Sequence, residues 1–446
     1  MKEELQEESS LHALHNISII QQNPENPLHS ASTFEDLNLR EDLLKGVYNM
    51  RYAQPSKIQG HALPLLLRDP PEHLIAQSQT GTGKTAAFSL AILSRIDFND
   101  PSPQAIVLAP SRELSRQIVA VLQELAKFTP AIITQVIPES DRPREPVVGH
   151  VLVGTPGKMT DMLKRTIPGF PGPRRTYIDP SKVKMLVMDE GDCMLDVQGL
   201  GQQSLVIKRL LPPNLQVVFF SATWDDTVVC FAQQFIGGPA NQIRLQAYEL
   251  TLDYVKQFFI DCDDEEDRFD VLVGLYSIMT ISQSIIFVHK REIAEKIAAR
   301  MTAKGHQISF LHGGLSPDER DNVMDMFRRG ATKVLMTTNV LARGIDIERV
   351  NMVINYDLPM GQYGLADPTT YLHRIGRTGR FGRLGVSANF VHDHDSFAVL
   401  QAIQNHYNCK IHKVPTDMSP ADGSIEDQKH ARWDRIEEFF KKVMKE

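Results

Sequence analysis

The stretch "HLIAQSQTGTGKTAAFSLAIL", His73 to Leu93, decides the fold. It opens on a short apolar run of strand type and ends on a longer segment with helical spacing. Between them lies "SQTGTGKT", Ser78 to Thr85. This matches a phosphate-binding loop, except that Ser78 stands where the first glycine usually sits. Gly81 and Gly83 let backbone N–H groups turn inward onto phosphate oxygens at a helix amino terminus. Lys84 would reach the β- and γ-phosphates, and Thr85 would ligate magnesium. Ser78, Gln79, Thr80 and Thr82 complete the loop. The strand before it and the helix after it set it apart from a plain Gly/Thr-rich turn.

Outward from this stretch, short apolar runs alternate with amphipathic ones from about Phe34 to Leu245. The strand candidates are "HLIAQ", "AIVLAP", "TQVIP", "HVLVGTP", "MLVMDE", "QVVFFSAT" and "NQIRL". Segments such as "ELSRQIVAVLQELAKF" between them read as helices. That is the pattern of an α/β domain, a mainly parallel sheet covered by helices on both faces. The pattern lapses at 246–253, read as a linker. A second series follows over 254–446: "VKQFFIDC", "SIIFVH", "QISFLHG", "KVLMTTN", "MVINYD" and "GVSANFV". Two α/β domains in tandem are therefore predicted, 34–245 and 254–446, and 446 residues suit two such domains. Residues 1–33 read as a mobile leader, with "SSLHALHNISII" as its helix-like candidate. The run "DCDDEED", 261–267, reads as a solvated loop, and "IEDQKHARWDRIEEFFKKVMKE" as a terminal amphipathic helix.

Composition narrows the function classes. Apolar residues make up 42% and charged residues 23%, enough for full cores. The net charge of −7 argues against coating a polyanion by bulk charge, but leaves room for a local basic groove. The four cysteines, Cys193, Cys230, Cys262 and Cys409, are far apart, which points away from a disulfide framework or a zinc site. The polar, acidic start is no secretory signal, and no apolar run has the roughly 20 residues that span a bilayer.

Three further motifs carry chemistry. "MLVMDEGD" ends a strand on Asp189 and Glu190, then Gly191 and Asp192. Asp189 would hold magnesium, and Glu190 would polarise an attacking water as general base, a role worth ~10²–10⁴-fold. The strand bearing these acids is expected beside the phosphate loop. "FFSATW" supplies Ser221 and Thr223, short hydroxyls placed to bond Asp192. "YLHRIGRTGRFGRLG" repeats arginine every three residues at Arg374, Arg377, Arg380 and Arg383. From the second domain, Arg374 and Arg377 would face a γ-phosphate as arginine fingers, worth ~10³–10⁵ in rate.

In this order, the phosphate loop, "DEGD", "SAT", "LARGID" and "HRIGRTGR" resemble those of a DEAD-box RNA helicase, over about residues 34–446. The resemblance implies two tandem RecA-like domains, ATP and Mg2+ as cofactors, and RNA-stimulated ATP hydrolysis. It assigns "YAQPSKIQ" to adenine recognition, with Gln59 on the base edge and Tyr52 stacked on the ring. It assigns Arg112, Thr155, Gly157, Arg320 and Thr338 to the RNA backbone, Asp346 to the ATP ribose, and His373 with Asp192, Ser221 and Thr223 to coupling. Binding would be indifferent to sequence, because the contacts go to sugar and phosphate.

The chain departs from the family at several points. Gly191 replaces the usual alanine, a change expected to add backbone freedom of about 0.5–1 kcal/mol. Lys158 stands for a frequent arginine, turning a forked contact into a point charge. Gly314 and Pro317 replace an aspartate and a glutamine, and "IPESD" stands where a double glycine is expected after Phe128. Within the family, "NPENPLHSASTFEDLNL", "LMTTNVLARGIDIERVNMVINYDLP" and "GQYGLADPTTYLHRIGRTGRFGR" resemble the mRNA-export subgroup of the nuclear pore's cytoplasmic face. That resemblance implies an inositol-hexakisphosphate-bound export activator and a pore-filament nucleoporin as partners, a location in cytoplasm, nucleus and the pore, and a monomer. A leader helix could then act as an inhibitor between the domains. The rival readings are a translation-initiation or general DEAD-box helicase, and a catalytically weak docking scaffold.

Overall fold

The structure is a computed structural model that describes residues 17–23, 30–78, 82–137, 145–167, 176–196, 199–245, 255–338, 347, 349–361, 364–379, 383–416 and 425–443. The chain divides into two compact units, Met1–Glu249 and Leu250–Glu446. The linker expected at 246–253 lies outside the described residues.

The first unit is built on one sheet. Its strands are β1 (Ile17–Ile20), β2 (Leu74–Gln77), β3 (Ala105–Leu108), β4 (Ile133–Val136), β5 (Val151–Gly154), β6 (Met185–Met188), β7 (Gln216–Ser221) and β8 (Asn241–Leu245). They lie in the order β1-β8-β2-β7-β6-β3-β5-β4. All neighbours are parallel except β1, which runs antiparallel to β8. Alternate residues feed two separate cores. Leu74, Ala76, Val107, Val187 and Phe220 enter one, and Ile75, Ile106, Leu186 and Phe219 the other. Strands β2, β3, β6 and β7 are buried on both faces, which is why they read as unbroken apolar runs. Each Val, Leu, Ile or Phe side chain in them contributes about 1.5–3 kcal/mol on burial.

Two expectations change here. Residues 17–20 of the supposed leader form an edge strand, not a helix. The β-branched run Ile17, Ile19, Ile20 pairs with Leu245 to Gln242. Beyond it, Gln22 N–H donates to Asn241 Oδ1 at 2.8 Å, and Gln22 Oε1 accepts from His73 N–H at 3.3 Å. Residues 1–16 lie outside the described residues. The acid-bearing strand β6 is also not next to the loop strand β2; β7 runs between them. The "SAT" motif therefore sits in the middle of the site.

The second unit carries β9 (Val255–Asp261), β10 (Gln283–Phe287), β11 (Ile308–Leu311), β12 (Val334–Thr337), β13 (Val350–Asn355), β14 (Gly385–Val391) and β15 (His412–Lys413). Their order is β11-β12-β10-β13-β14-β9-β15, all parallel. The two-residue β15 is too short to leave a periodic signal in sequence. The acid run is not a loop. Asp261 ends β9, Asp264 caps the helix Glu265–Ile278, and three acids fill its first turn. There they complement the helix dipole.

One of those acids holds the terminal helix Ile425–Val443 in place. Arg432 donates to both oxygens of Asp267, at 2.6 and 3.0 Å, with Arg432 only 7% exposed. Arg432→Ala would strand a largely buried carboxylate. We expect it to destabilise the second unit by about 3 kcal/mol, at the low end for a buried pair because Asp267 keeps its helix-terminus partners. Urea unfolding followed by tryptophan fluorescence checks this; a loss under about 0.5 kcal/mol would show the pair to be solvated.

Candidate active site

The phosphate loop is braced from the side by the segment "YAQPSKIQ". Ser56 Oγ accepts from Gln59 N–H and Gln59 Oε1 from Ser56 N–H, a reciprocal cap on the helix Lys57–Leu66. The same two residues reach the loop. Ser56 Oγ–H donates to Thr82 O at 2.7 Å, and Gln59 Nε2–H to Gly83 O at 3.0 Å. Gln59 is thus anchored at both amide atoms by one bond each, which leaves a lone pair and an N–H for an adenine edge. Ser56 was not singled out from sequence; its place three residues before Gln59 was the signal. Tyr52 is half-buried against the first core.

Gly83 takes φ +95° and starts the helix Lys84–Arg95. A β-carbon there would lie 2.4 Å from Gln59 Nε2, so only glycine fits. Lys84 is buried and donates to Ser78 O at 2.9 Å. Ser78 Oγ is hydrogen-bonded to Thr82 Oγ1, a contact a glycine in that place would lack. Thr85 is half-buried in the first turn. Gln79, Thr80 and Gly81 lie outside the described residues.

Asp189, Glu190 and Asp192 are each 2% exposed. Burial pushes the Asp189 carboxyl up to about 6; Lys84 opposes this, and the neighbouring Glu190 adds to it. Asp189, Glu190 and Asp192 concentrate an excess of negative charge in one buried place, where Lys84 acts on Asp189. Carboxylate and hydroxyl oxygens from Asp189 and Thr85 suit a hard divalent cation such as Mg2+, which would offset that excess. Glu190 adopts φ +50°, a left-handed backbone that costs about 1–2 kcal/mol outside glycine. Its carbonyl accepts from Cys193 and Met194 N–H, which begins the short helix Gly191–Asp196. Cys193 Sγ–H donates to Glu190 Oε2 at 3.5 Å. Cys193 was read from sequence only as an unpaired thiol; three residues after Glu190 on a helix, it faces the same side.

The coupling hydroxyls divide. Thr223 donates to Asp192 Oδ2 at 3.2 Å, as expected. Ser221 does not join it. Ser221 is in register with Gln77 of β2, its carbonyl accepts Ser78 N–H at 2.9 Å, and its hydroxyl has no partner among the described residues. The ladder holds Ser221 to the loop strand, and Thr223 beyond it reaches Asp192.

The RNA candidates of the first unit stand on neighbouring strands. Arg112 opens the helix after β3, and Thr155 precedes the helix after β5, with Gly157 in its first turn. Two helix amino termini, side by side, suit phosphate groups. A pocket of about 450 Å³ lies alongside, lined by Gly157, Thr160, Lys164 and Gln203 among others. In the second unit Arg320 lies in the helix Pro317–Arg329 after β11, and Thr338 follows the adjacent β12. Asp346 and Arg380 lie outside the described residues.

Arg374 and Arg377 are buried rather than projecting from a helix surface. Arg374 Nη1 donates to Asn355 Oδ1 at 3.0 Å and to Asp357 O at 2.7 Å, with its guanidinium 4.8 Å from the Phe287 ring centre. Burial lowers its pKa to about 9, against the pull of Asp357 and Asp367. Arg377 Nε–H donates to the carbonyl of His373 at 2.8 Å, and His373 is itself buried. Asn355 and Asp357, at the end of β13, were not foreseen as supports.

Comparison with known proteins gives the following. The DEAD/DEAH box helicase domain matches residues 56–230, and the helicase conserved C-terminal domain matches 267–382. The ATP-dependent RNA helicase DBP5 of Saccharomyces cerevisiae is 49% identical over 428 residues, 96% of this chain and 84% of that protein. S. cerevisiae Dbp5 bound to RNA and ADP BeF3 aligns with a TM-score of 0.83 and 48% identity, covering 93% of this chain and all of the other. A variant of the same yeast protein bound to Nup159, Gle1, IP6 and ADP aligns at 0.65 and 46% identity, over 92% of this chain and all of the other.

Proposed function

The chain belongs to the DEAD-box family of ATP-dependent RNA helicases, and on that premise we propose that it works in mRNA export at the cytoplasmic face of the nuclear pore. The observation that carries the export reading is the extent of the likeness. It runs at 46% identity through the whole of a helicase chain held by Nup159 and by Gle1 with IP6. Those are the partners proposed here, besides RNA.

In the proposed cycle ATP rests on the first unit, with Lys84 on its β- and γ-phosphates and Gln59 and Tyr52 at the base. Thr85 and Asp189 would hold Mg2+, which supplies charge neutralisation at the phosphates. Glu190 accepts a proton from the attacking water, aimed by its Cys193 contact. Arg374 and Arg377 of the second unit reach the γ-phosphate when ATP and RNA are both bound. Arg112, Thr155, Gly157, Arg320 and Thr338 grip the RNA backbone, and a strand bent between them loses its duplex partner or bound protein. Hydrolysis releases it. The Asp192–Thr223 bond links the acid motif to β7 and so to the loop strand β2.

Steady-state ATP hydrolysis with and without RNA, on the full chain, tests the activity. Turnover should rise on adding RNA of any sequence, and rise again with Gle1 and IP6. Binding of a purified Nup159 amino-terminal domain separates the export role from translation initiation. A chain that hydrolyses ATP with RNA but ignores both partners would contradict the export reading.

A further inference from the structure

We propose that Phe219 is a positioning residue for the acidic motif, and that Gly191 is glycine because the Phe219 ring occupies the space of its β-carbon. A β-carbon on Gly191 would lie 2.1, 2.5 and 2.8 Å from Cζ, Cε2 and Cε1 of Phe219. Carbon atoms in contact stand about 3.5–4.0 Å apart, so the overlap exceeds about 1 Å at the ring tip. The ring is confined. Phe219 is fully buried in β7, with the rings of Phe231 and Phe235 at 6.1 and 6.3 Å between centres. Those two rings lie at 20° to each other and pack beside Phe219, which limits the room its ring has to move.

The contact sits where it governs direction. Phe219 is in register with Met188, the residue before Asp189. Gly191 begins the short helix, directly after Glu190 in its left-handed backbone and directly before Asp192. The ring therefore sets how closely the helix start seats on the sheet, and with it the aim of both flanking carboxylates. Pushing Gly191 outward by about an ångström displaces Glu190 from its water and stretches Asp192 from Thr223, which stands at 3.2 Å. A misplacement of that size costs about 10²-fold in rate. A leucine in place of Phe219 would lack Cζ, Cε1 and Cε2, the three atoms in the way. The native pair of Gly191 with Phe219, and the pair made by combining Gly191→Ala with Phe219→Leu, are thus two solutions of one packing problem. Either substitution alone is not.

The inference rests on the reading of Glu190 as general base. Its test measures kcat and the KM for ATP, with saturating RNA, for the full chain and for Gly191→Ala, Phe219→Leu, the double variant and Glu190→Gln. Gly191→Ala should lower kcat by roughly 10–100-fold. Its KM for ATP should stay within about threefold, because Lys84 and Gln59 stand on other elements. The double variant should recover to within about threefold of the parent, a coupling that two independent structural losses would not give. Gly191→Ala turning over within about twofold of the parent, or a double variant no better than it, overturns the proposal. Should Gly191→Ala not fold, a soluble and active double variant is the same rescue, and an insoluble or inactive one overturns it. Glu190→Gln separates the two claims. If it retains full turnover, the base assignment fails; if it is inactive while Gly191→Ala is unaffected, only the Phe219 inference fails.

Discussion

Glu190→Gln should abolish RNA-stimulated ATP turnover, by ~10²–10⁴-fold, while RNA still binds in the presence of ATP. The substitution keeps the shape of the side chain and an acceptor oxygen for the Cys193 thiol. It removes the capacity to take a proton, and with it one of the two buried carboxylates that act on Asp189. Nucleotide affinity should therefore hold or improve. Steady-state hydrolysis paired with fluorescence anisotropy of a labelled RNA, with ATP present, reads both quantities on one sample. Turnover equal to the parent chain would remove Glu190 from the base role.

Arg377→Ala should lower kcat by ~10³–10⁵-fold, the range for a lost arginine finger. The same change at Arg374 is expected to do two things. It removes a guanidinium from the proposed γ-phosphate contact, and it leaves Asn355 Oδ1 and the Asp357 carbonyl without their donor. A buried acceptor left unpaired costs about 1–3 kcal/mol. Arg374→Ala should therefore also lower the melting temperature of the second unit. Turnover and melting measured together divide the two effects. Full activity in Arg377→Ala would leave the triphosphate with no partner there from that residue.

The central strands were legible because they are short apolar runs whose alternate residues feed separate cores, as with Leu186 and Val187 in β6. The phosphate loop and the acids were legible because their chemistry lies in consecutive residues. What escaped depends on pairing across the sheet. Ile17–Ile20 become a strand only because β8 offers an edge, and β7 separates β2 from β6 by a topology no local motif encodes. Ser221 and Thr223 look equivalent in sequence, yet the register with Gln77 holds one to the loop strand and releases the other to Asp192. Gly191 is the clearest case. Read along the chain, it loosens the backbone between two acids; in the fold, it is pressed against the Phe219 ring, 28 residues later.

The central claim is that ATP lies on the first unit and is completed by guanidiniums from the second. A crystal structure of this chain with RNA and ADP·BeF3 tests it most directly. The account predicts guanidinium nitrogens of Arg374 and Arg377 within about 3 Å of the beryllofluoride, opposite Lys84. A complex with both ligands bound and both arginines directed elsewhere would contradict it.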